Sequence, residues 1–220
     1  IHHGIDDCYV PCHDREYLTQ IREQLGLPML YILHVGVVEA RKNIETLLRA
    51  GAPLVRDGIV DGIVLAGRDG RGADSVRRVA LELGIIDSTH FLGYVPQEMM
   101  RGLYNLAQVL VFPSLFEGFG LPIVEAMACG TPVVASNSSS LPEVAGGAAL
   151  LFPANDVAAL ERALRRILQN AELRAEFRRR GLARSADFSW SKSAVQHLEV
   201  YRHVLAQGGI RDAAPRRWLC

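Results

Sequence analysis

The sequence has few cysteines, no excess charge of either sign and no long hydrophobic run. Lys and Arg number 24, as do Asp and Glu, so the net charge is zero and the basic face of a nucleic-acid-binding protein is not expected. No apolar stretch approaches the roughly 20 residues of a membrane span. Residues 1–10 lack the charged and apolar segments of a signal peptide. Because the four cysteines are irregularly spaced, we expect a reducing, cytoplasmic environment.

One short segment carries residue types that bind metals. Cys8, Cys12 and His13 form the pattern C-x3-C-H, which allows either a partial metal site or ordinary loop residues. No second ligand pair follows at zinc-site spacing. The pattern therefore favours loop residues, and we expect no bound metal.

Short apolar runs alternate with segments of helical periodicity, and this alternation predicts the fold class. Six such strands separated by helices are typical of an α/β, Rossmann-like, doubly wound and mostly parallel sheet. Its ligands bind beyond the carboxyl ends of the strands. The predicted strands lie within 28–36, 62–67, 89–95, 108–114, 131–136 and 148–152, and the helices between them within 43–55, 75–84, 96–107 and 121–130.

The composition also predicts how the chain is organised. We expect residues 1–27 to form a connecting segment and a first helix, and residues 28–155 to form the Rossmann-like core. Residues 156–207 have the apolar periodicity of three helices, and residues 208–220 form a tail. The arginines at 178–180 allow either a membrane-surface patch or a solvated helix face, and nearby glutamates favour the solvated face.

The segment 112–136 contains the pattern most indicative of chemistry. A buried strand is followed by Glu117, Gly118 and Gly120, and then by a helix that begins near Leu121 and carries Glu125. A helix N-terminus preceded by glycines presents free N–H groups and partial positive charge, which suits a phosphate. The alternative is a simple tight turn, with Glu125 complementing the helix dipole.

A second loop predicts a matching group of cations. The first strand ends at Gly36, after which Arg41 and Lys42 precede Asn43, a residue that can cap the next helix. Arg offers a bidentate fork and Lys a point charge, and both suit a diphosphate. These residues could equally be solvated loop charges. However, the two loops follow strands of one parallel sheet, so we expect them at the same edge.

These residues resemble a known family. The segment E-G-F-G-L-P-I-V-E at 117–125 is similar to the E-x7-E motif of the retaining GT-B glycosyltransferases of family 4. The segment V-G-V-V-E-A-R-K-N at 35–43 resembles the phosphate loop of the subgroup with the pattern G-x-x-x-P-R-K-N. The resemblance extends over residues 1–207 and implies polysaccharide or glycoconjugate biosynthesis from a UDP-, GDP- or ADP-sugar.

The resemblance also implies a role for each residue. Glu117 would contact the transferred sugar, Glu125 the ribose, and Lys42 with Arg41 the leaving diphosphate. Backbone groups of Gly93, Tyr94 and Val95 would contact the base, and those from 118 to 121 the diphosphate. The implied catalytic residues are Glu117 and Lys42, and the implied donor-binding residues are Gly36, Arg41, Lys42, Gly93, Tyr94, Val95, Glu117, Gly118, Phe119, Gly120, Leu121 and Glu125. The family needs no metal and no cofactor besides the donor.

The sequence departs from the family pattern at two positions and in its extent. Val37 occupies a position where many members have Arg, and Ala40 one where the subgroup has Pro. Residues 1–6 resemble the linker that follows the family's N-terminal acceptor domain. We therefore expect the 220 residues to be the donor-binding domain of a hexosyltransferase, inactive without that partner domain, which in the whole protein can lie at a membrane surface.

Three other functions compete with this interpretation. A non-catalytic nucleotide-sugar-binding module would have the same motifs. Glu117 and Glu125 could form the acid/base pair of a glycoside hydrolase, but we expect the N-terminus of the helix to keep Glu125 ionised. A dehydrogenase is disfavoured because no G-x-G-x-x-G follows the first strand.

Overall fold

The computed structural model describes residues 1–206, so the predicted tail at 208–220, which includes Cys220, lies outside the described residues. The elements alternate as predicted. The helices are α1 (Arg15–Leu25), α2 (Ile44–Arg56), α3 (Ala73–Glu82), α4 (Gln97–Leu106), α5 (Leu121–Ala128), α6 (Leu141–Ala145), α7 (Val157–Gln169), α8 (Ala171–Ser185) and α9 (Trp190–Ala206). The strands are β1 (Tyr31–Val35), β2 (Gly62–Ala66), β3 (Thr89–Gly93), β4 (Val109–Phe112), β5 (Val133–Ser136) and β6 (Leu150–Phe152).

The six strands form one sheet in the order β3-β2-β1-β4-β5-β6. Every neighbouring pair is parallel, which confirms the predicted doubly wound fold. The order reverses between β1 and β4, so the helices that follow these two strands, α2 and α5, lie on opposite faces of the sheet. This arrangement leaves a crevice at the ends of the two strands. This crevice is the position at which the predicted cation loop and the predicted phosphate loop meet.

Alternate residues of each strand face two separate hydrophobic cores. Leu33 and Phe112 contribute to one core, which also includes apolar residues of α1, α4, α5 and α6. Ile32 and Val111 contribute to the other, on the side of α2, α3 and α7. Because side chains alternate along a strand and both faces are covered, the strands of the sheet interior are continuous apolar runs.

Some predicted boundaries differ from the structure. The first strand begins at Tyr31 rather than at 28, because Pro28 cannot donate to a ladder and Met29 is exposed. Helix α6 and two short 3-10 helices, Ala40–Lys42 and Ile86–Ser88, were not predicted. Such short segments contain too few residues to show a helical period.

The three helices after residue 156 differ in how they pack. Helices α7 and α8 bury apolar residues against the sheet and against α5. In α8, Arg179 and Arg180 both pair with Glu176, at 2.9 and 2.7 Å, as expected of a solvated face. Helix α9 buries only Ser193 and leaves its apolar side chains exposed. Within residues 1–206, no helix has both the length and the hydropathy that crossing a membrane requires.

A close backbone contact at the carboxyl edge of the sheet gives the first testable prediction. A Cβ atom on Gly67 would lie 1.9 Å from the carbonyl oxygen of Gly36, so Gly67→Ala must displace the end of β1. We expect Gly67→Ala to lower the free energy of unfolding by at least about 3 kcal/mol in urea denaturation. The control is Gly84→Ala, at a position with φ of 69° and open space around it, which should cost about 1 kcal/mol. Equal losses would contradict the proposed contact.

Candidate functional site

The candidate site lies where the loops after β1 and β4 meet. The β1 loop contains the 3-10 helix Ala40–Lys42, and its Arg41 carbonyl accepts a hydrogen bond of 2.8 Å from the backbone N–H of Leu115 in the β4 loop. Asn43 adds a second connection, because its side-chain amide donates to the carbonyl of Pro113 at 3.1 Å. The two loops are thereby fixed relative to each other. Contrary to expectation, the Asn43 side chain does not cap α2, because its Oδ1 atom accepts from the Thr46 hydroxyl at 2.8 Å rather than from a backbone N–H.

A carboxylate and two cations meet at the centre of the site. Lys42 Nζ donates to Glu117 Oε1 at 2.7 Å, and Arg41 Nη1 donates to Glu117 Oε2 at 3.1 Å. Only 8% of the Lys42 side chain and 11% of the Glu117 side chain are exposed. The Lys42 ammonium also lies 4.9 Å from the centre of the Phe112 ring. The structure therefore brings together three predicted site residues. Lys42 and Glu117 form a pair that is largely shielded from water, whereas the Arg41 side chain is 49% exposed.

The ion pairs determine the protonation of Glu117. Burial acts to raise the pKa of this carboxyl, but the hydrogen bonds from Lys42 and Ser114 and the charges of Lys42 and Arg41 outweigh it, so the pKa is lowered overall. Glu117 is thus a carboxylate over the whole neutral range. A carboxylate in this position is an acceptor and an electrostatic partner rather than an acid.

His34, which the sequence analysis did not single out, lies buried beneath this pair. Burial lowers the pKa of His34 to about 4, so its ring is neutral at neutral pH. The contact of 3.1 Å from Nδ1 to the Val111 carbonyl places the proton on Nδ1, because a carbonyl oxygen only accepts. A Cβ atom on Gly36 would lie 3.3 Å from Lys42 Nζ and 3.6 Å from His34 Nε2, so both nitrogen atoms face the end of β1.

Two buried polar atoms lie at this position, and they differ in their surroundings. Within residues 1–206, His34 Nε2 is shielded and makes no hydrogen bond, whereas the shielded Ser114 Oγ makes no hydrogen bond of regular geometry but interacts with the Glu117 carboxylate. His34 lies in β1, and Ser114 is the second residue after the end of β4. Unpaired buried polar groups are uncommon and often mark functional positions. Sequence periodicity alone did not distinguish either residue from the surrounding apolar strand.

The N-terminus of α5 is open, as expected of an anion site. Within the described part of the chain, the backbone N–H groups of Gly118, Phe119 and Gly120 make no hydrogen bond. Gly120 has φ of 105°, which favours glycine, and directly precedes the helix. Ser140 Oγ is within hydrogen-bonding distance of the carbonyls of Glu117 and Phe119, at 3.0 Å from each, which joins the loop to the start of α6.

The predicted base-contacting segment lines a pocket at the same edge. Gly36, Gly67, Arg68, Tyr94 and Val95 are among the residues around a mainly apolar cavity of about 320 Å³. Gly93 accepts a hydrogen bond of 2.7 Å from the N–H of Gly67. The Tyr94 side chain is 64% exposed, and the Arg68 guanidinium lies 4.9 Å from its ring centre. The cavity therefore has apolar walls, with one aromatic ring and one cation at its rim.

Glu125 lies apart from the central ion pairs and differs from expectation. Its Oε2 atom accepts a hydrogen bond of 2.6 Å from the hydroxyl of Tyr104. The helix N-terminus was expected to keep Glu125 ionised without a rise in its pKa, but burial raises the pKa of Glu125 and the charge of Asp6 adds to the rise, although the Tyr104 hydrogen bond opposes it. Burial dominates because Glu125 is the fifth residue of α5, beyond the first turn, where the effect of the dipole falls off.

The remaining predicted residues have other neighbours. The Phe119 ring packs against His3 and Phe188, with ring centres 5.0 and 5.6 Å apart, and so contributes to the site through its backbone only. Cys8 is exposed and Cys12 is partly buried. Within the described range 1–206, no group of three or more His, Cys, Asp or Glu side chains is arranged to hold a metal ion.

The central ion pair gives a prediction that needs no ligand. Lys42→Met and Glu117→Gln should show a coupling of about 1–3 kcal/mol in a double-mutant cycle of unfolding free energies, because removing either partner leaves a shielded charge unpaired. The matched control is Arg77 with Asp69, a pair of 2.8 Å whose side chains are 38% and 54% exposed. This exposed pair should couple by less than about 1 kcal/mol. Additive effects at Lys42 and Glu117 would contradict the assignment of a shielded pair.

Comparison with known proteins identifies the family. A family model described as glycosyl transferases group 1 matches residues 19–184. O-antigen chain mannosyltransferase B of Escherichia coli is 39% identical over 196 residues, which cover 88% of this chain and 51% of that protein. The chain therefore spans about half the length of this curated relative, and about a quarter of another, the mannosyltransferase WbdA of Escherichia coli.

Solved structures show the same fold. Sucrose-phosphate synthase from Thermosynechococcus elongatus superposes with a TM-score of 0.80 at 31% identity, over 93% of this chain and 52% of that chain. HepE of Anabaena in complex with UDP-glucose superposes with a TM-score of 0.78 at 20% identity, over 91% of this chain and 56% of that chain. The doubly wound sheet thus has the fold of one Rossmann-like half of a GT-B glycosyltransferase, and the chain belongs to the glycosyl transferases group 1 family.

Proposed function

We propose that the chain is the donor-binding domain of a retaining hexosyltransferase and that it binds the diphosphate of a nucleotide-sugar between the β1 and β4 loops. One observation carries this proposal: Lys42, Arg41 and the open N–H groups at 118–120 converge on one crevice at the carboxyl edge of the sheet. Two cations and a helix N-terminus form a binding site for a doubly charged group.

The chemistry of transfer explains why these groups are needed. Breaking the anomeric C–O bond leaves negative charge on the diphosphate, so catalysis depends on stabilising that charge. Lys42, Arg41 and the positive end of α5 supply this stabilisation without a metal. Glu117, which is ionised, is then free to accept hydrogen bonds from hydroxyl groups of the transferred sugar. In the family mechanism the leaving phosphate takes the proton of the acceptor, which makes a separate protein base unnecessary.

The apolar cavity beside the central pair is the proposed position of the base. Its walls at Gly36, Gly67 and Val95 suit a flat ring, and the backbone of Tyr94 and Val95 offers polar groups at its margin. UDP, GDP and ADP all remain candidates because the lining of the cavity is mainly apolar. The name of the Escherichia coli relative favours a mannosyl donor, whereas HepE binds UDP-glucose.

A non-catalytic nucleotide-sugar-binding module is the second candidate function. Such a module would use the same donor-binding groups, so the motifs alone do not distinguish it from a transferase. The glycoside hydrolase is disfavoured by membership of a glycosyl transferase family, although the opposite pKa shifts of Glu117 and Glu125 do resemble those of an acid/base pair. Transfer assays, described below, distinguish the two remaining functions.

We further propose that the acceptor is held by a domain outside these 220 residues. Helix α9 exposes Trp190, Val195, Leu198, Tyr201 and Leu205, of which Leu205 is 74% exposed. An apolar helix face of this extent is typical of a surface that another domain covers. The predicted linker at 1–6 packs beside it, since Ile5 bridges to Ser189 at the start of α9.

The two glutamates should respond oppositely to the bare nucleoside diphosphate. Glu125→Ala removes a ribose acceptor and should weaken binding of UDP, GDP or ADP by roughly tenfold or more in isothermal titration calorimetry. Glu117→Gln removes the carboxylate that pairs with both cations, so the same ligand should bind roughly threefold to tenfold more tightly. The sugar-bearing donor should gain less or lose affinity, because it also loses a hydroxyl acceptor.

The control for these measurements is Glu82→Gln, which alters an exposed carboxylate in α3 far along the sheet. It should leave the affinity unchanged. Weaker binding of the bare diphosphate by Glu117→Gln would contradict the proposal that Glu117 competes with phosphate for Lys42 and Arg41. No binding of any of the three diphosphates by the folded wild-type chain would refute the proposed function itself.

The isolated chain should transfer no sugar. Holding donor and acceptor in a reactive geometry is worth about 7–11 kcal/mol, and one domain alone provides only one wall of the cleft. The measurement is transfer from radiolabelled UDP-glucose and GDP-mannose by this chain, beside its full-length parent with the parent's acceptor. Transfer near the parent's rate would show that residues 1–220 hold a complete active site. Absence of transfer by both proteins would favour the non-catalytic binding module.

A further inference from the structure

Glu125 is held by a buried tyrosine of the preceding helix. Tyr104, in α4, has no exposed surface, and its hydroxyl donates to Glu125 Oε2 at 2.6 Å. Burial raises the pKa of Tyr104 well above its ordinary value, so the hydroxyl keeps its proton and acts as the donor. Tyr104 and Glu125 belong to different helices, α4 before β4 in the chain and α5 after it. Their contact depends on the packing of α4 against α5.

The position of the Tyr104 hydroxyl is fixed from two sides. The backbone carbonyl of Tyr104 accepts a hydrogen bond of 2.6 Å from the hydroxyl of Thr131. Its ring packs edge-on against the ring of Tyr9, with centres 5.8 Å apart and planes at 75°. Tyr9 is itself only 5% exposed. The donor that holds Glu125 therefore has little freedom to move.

Only one of the two oxygen atoms of Glu125 is occupied. Oε2 accepts from Tyr104, and Oε1 makes no hydrogen bond with any described residue. Oε1 is also not among the side-chain atoms of residues 1–206 that are both shielded and unpaired, so water or a ligand can reach it. The carboxylate is thus held through one oxygen and presents the other.

We propose that Tyr104 is a positioning residue for ribose recognition: it orients Glu125 so that Oε1 accepts from the ribose hydroxyls of a nucleoside diphosphate. This inference rests on the proposed function, because it needs a nucleotide at the site. A ribose presents two neighbouring O–H donors, and a carboxylate oxygen can accept from them. Without the Tyr104 hydroxyl, the largely buried Glu125 carboxylate would lose the hydrogen bond that fixes its orientation.

The test combines one substitution with two ligands. Tyr104→Phe keeps the ring and its packing and removes only the hydroxyl. The ligands are whichever of UDP, GDP and ADP binds the wild-type chain most tightly, and the 2′,3′-dideoxy form of the same diphosphate. In calorimetric titration, Tyr104→Phe should weaken binding of the ribose form by roughly fivefold to tenfold. It should leave binding of the dideoxy form unchanged, since that ligand has no hydroxyls for Glu125.

The chain offers a matched control in Tyr31→Phe. Tyr31 is also fully buried, and its hydroxyl donates to the carbonyl of Leu103 at 2.7 Å, one residue from Tyr104. Removing this hydroxyl costs a similar buried hydrogen bond in the same core but does not touch Glu125. Tyr31→Phe should therefore bind both ligands as the wild type does. The double variant Tyr104→Phe with Glu125→Ala should bind the ribose form no more weakly than Glu125→Ala alone.

Each other outcome separates this inference from the proposed function. One such outcome is that the wild-type chain and Tyr104→Phe show the same preference for the ribose form over the dideoxy form. In that case the positioning role is wrong and the proposed function stands. If Tyr104→Phe weakens both ligands equally, Tyr104 has a structural role only and the inference is again overturned. If the folded wild-type chain binds none of the diphosphates, the proposed function fails first.

Discussion

The shielded contact between Lys42 and Glu117 is the interaction on which the geometry of the site depends. The two residues follow β1 and β4, which are neighbours because the strand order reverses there. An ammonium and a carboxylate that are both largely removed from water must remain paired, since an unpaired charge in such a position is strongly destabilising. The contacts that join the two loops, at Leu115 and Asn43, keep the pair together.

This pairing has a consequence for ligand exchange. In the structure, Glu117 pairs with both cations that we assign to the diphosphate, and Glu39 also pairs with Arg41 at 2.6 Å, so two carboxylates balance the two cations. A donor must bring enough negative charge to replace the carboxylate at Lys42 and Arg41. The carboxylate that is released can then contact the sugar. Under the proposed function, the same carboxylate would return to the cations when the product leaves, which would favour dissociation of the spent diphosphate.

The sequence predicted the architecture well because its signals are local. Apolar runs such as 62–67 and the glycines that follow β1 and β2 indicate parallel strands, and parallel strands place the loops at 36–42 and 117–121 on one edge. It could not predict that Tyr104 binds Glu125, because that contact depends on how two helices pack. For the same reason the rise in the pKa of Glu125 was missed: the motif gives its position in the helix but not its burial.

The most direct test of this account is a crystal structure of the chain with a nucleoside diphosphate bound. The account predicts that the phosphates lie against the N–H groups at 118–120 and within hydrogen-bonding distance of Lys42 Nζ, with the contact of 2.7 Å between Lys42 and Glu117 broken. The base should occupy the cavity lined by Tyr94 and Val95. Phosphates bound elsewhere, or bound here with the contact between Lys42 and Glu117 intact, would contradict it.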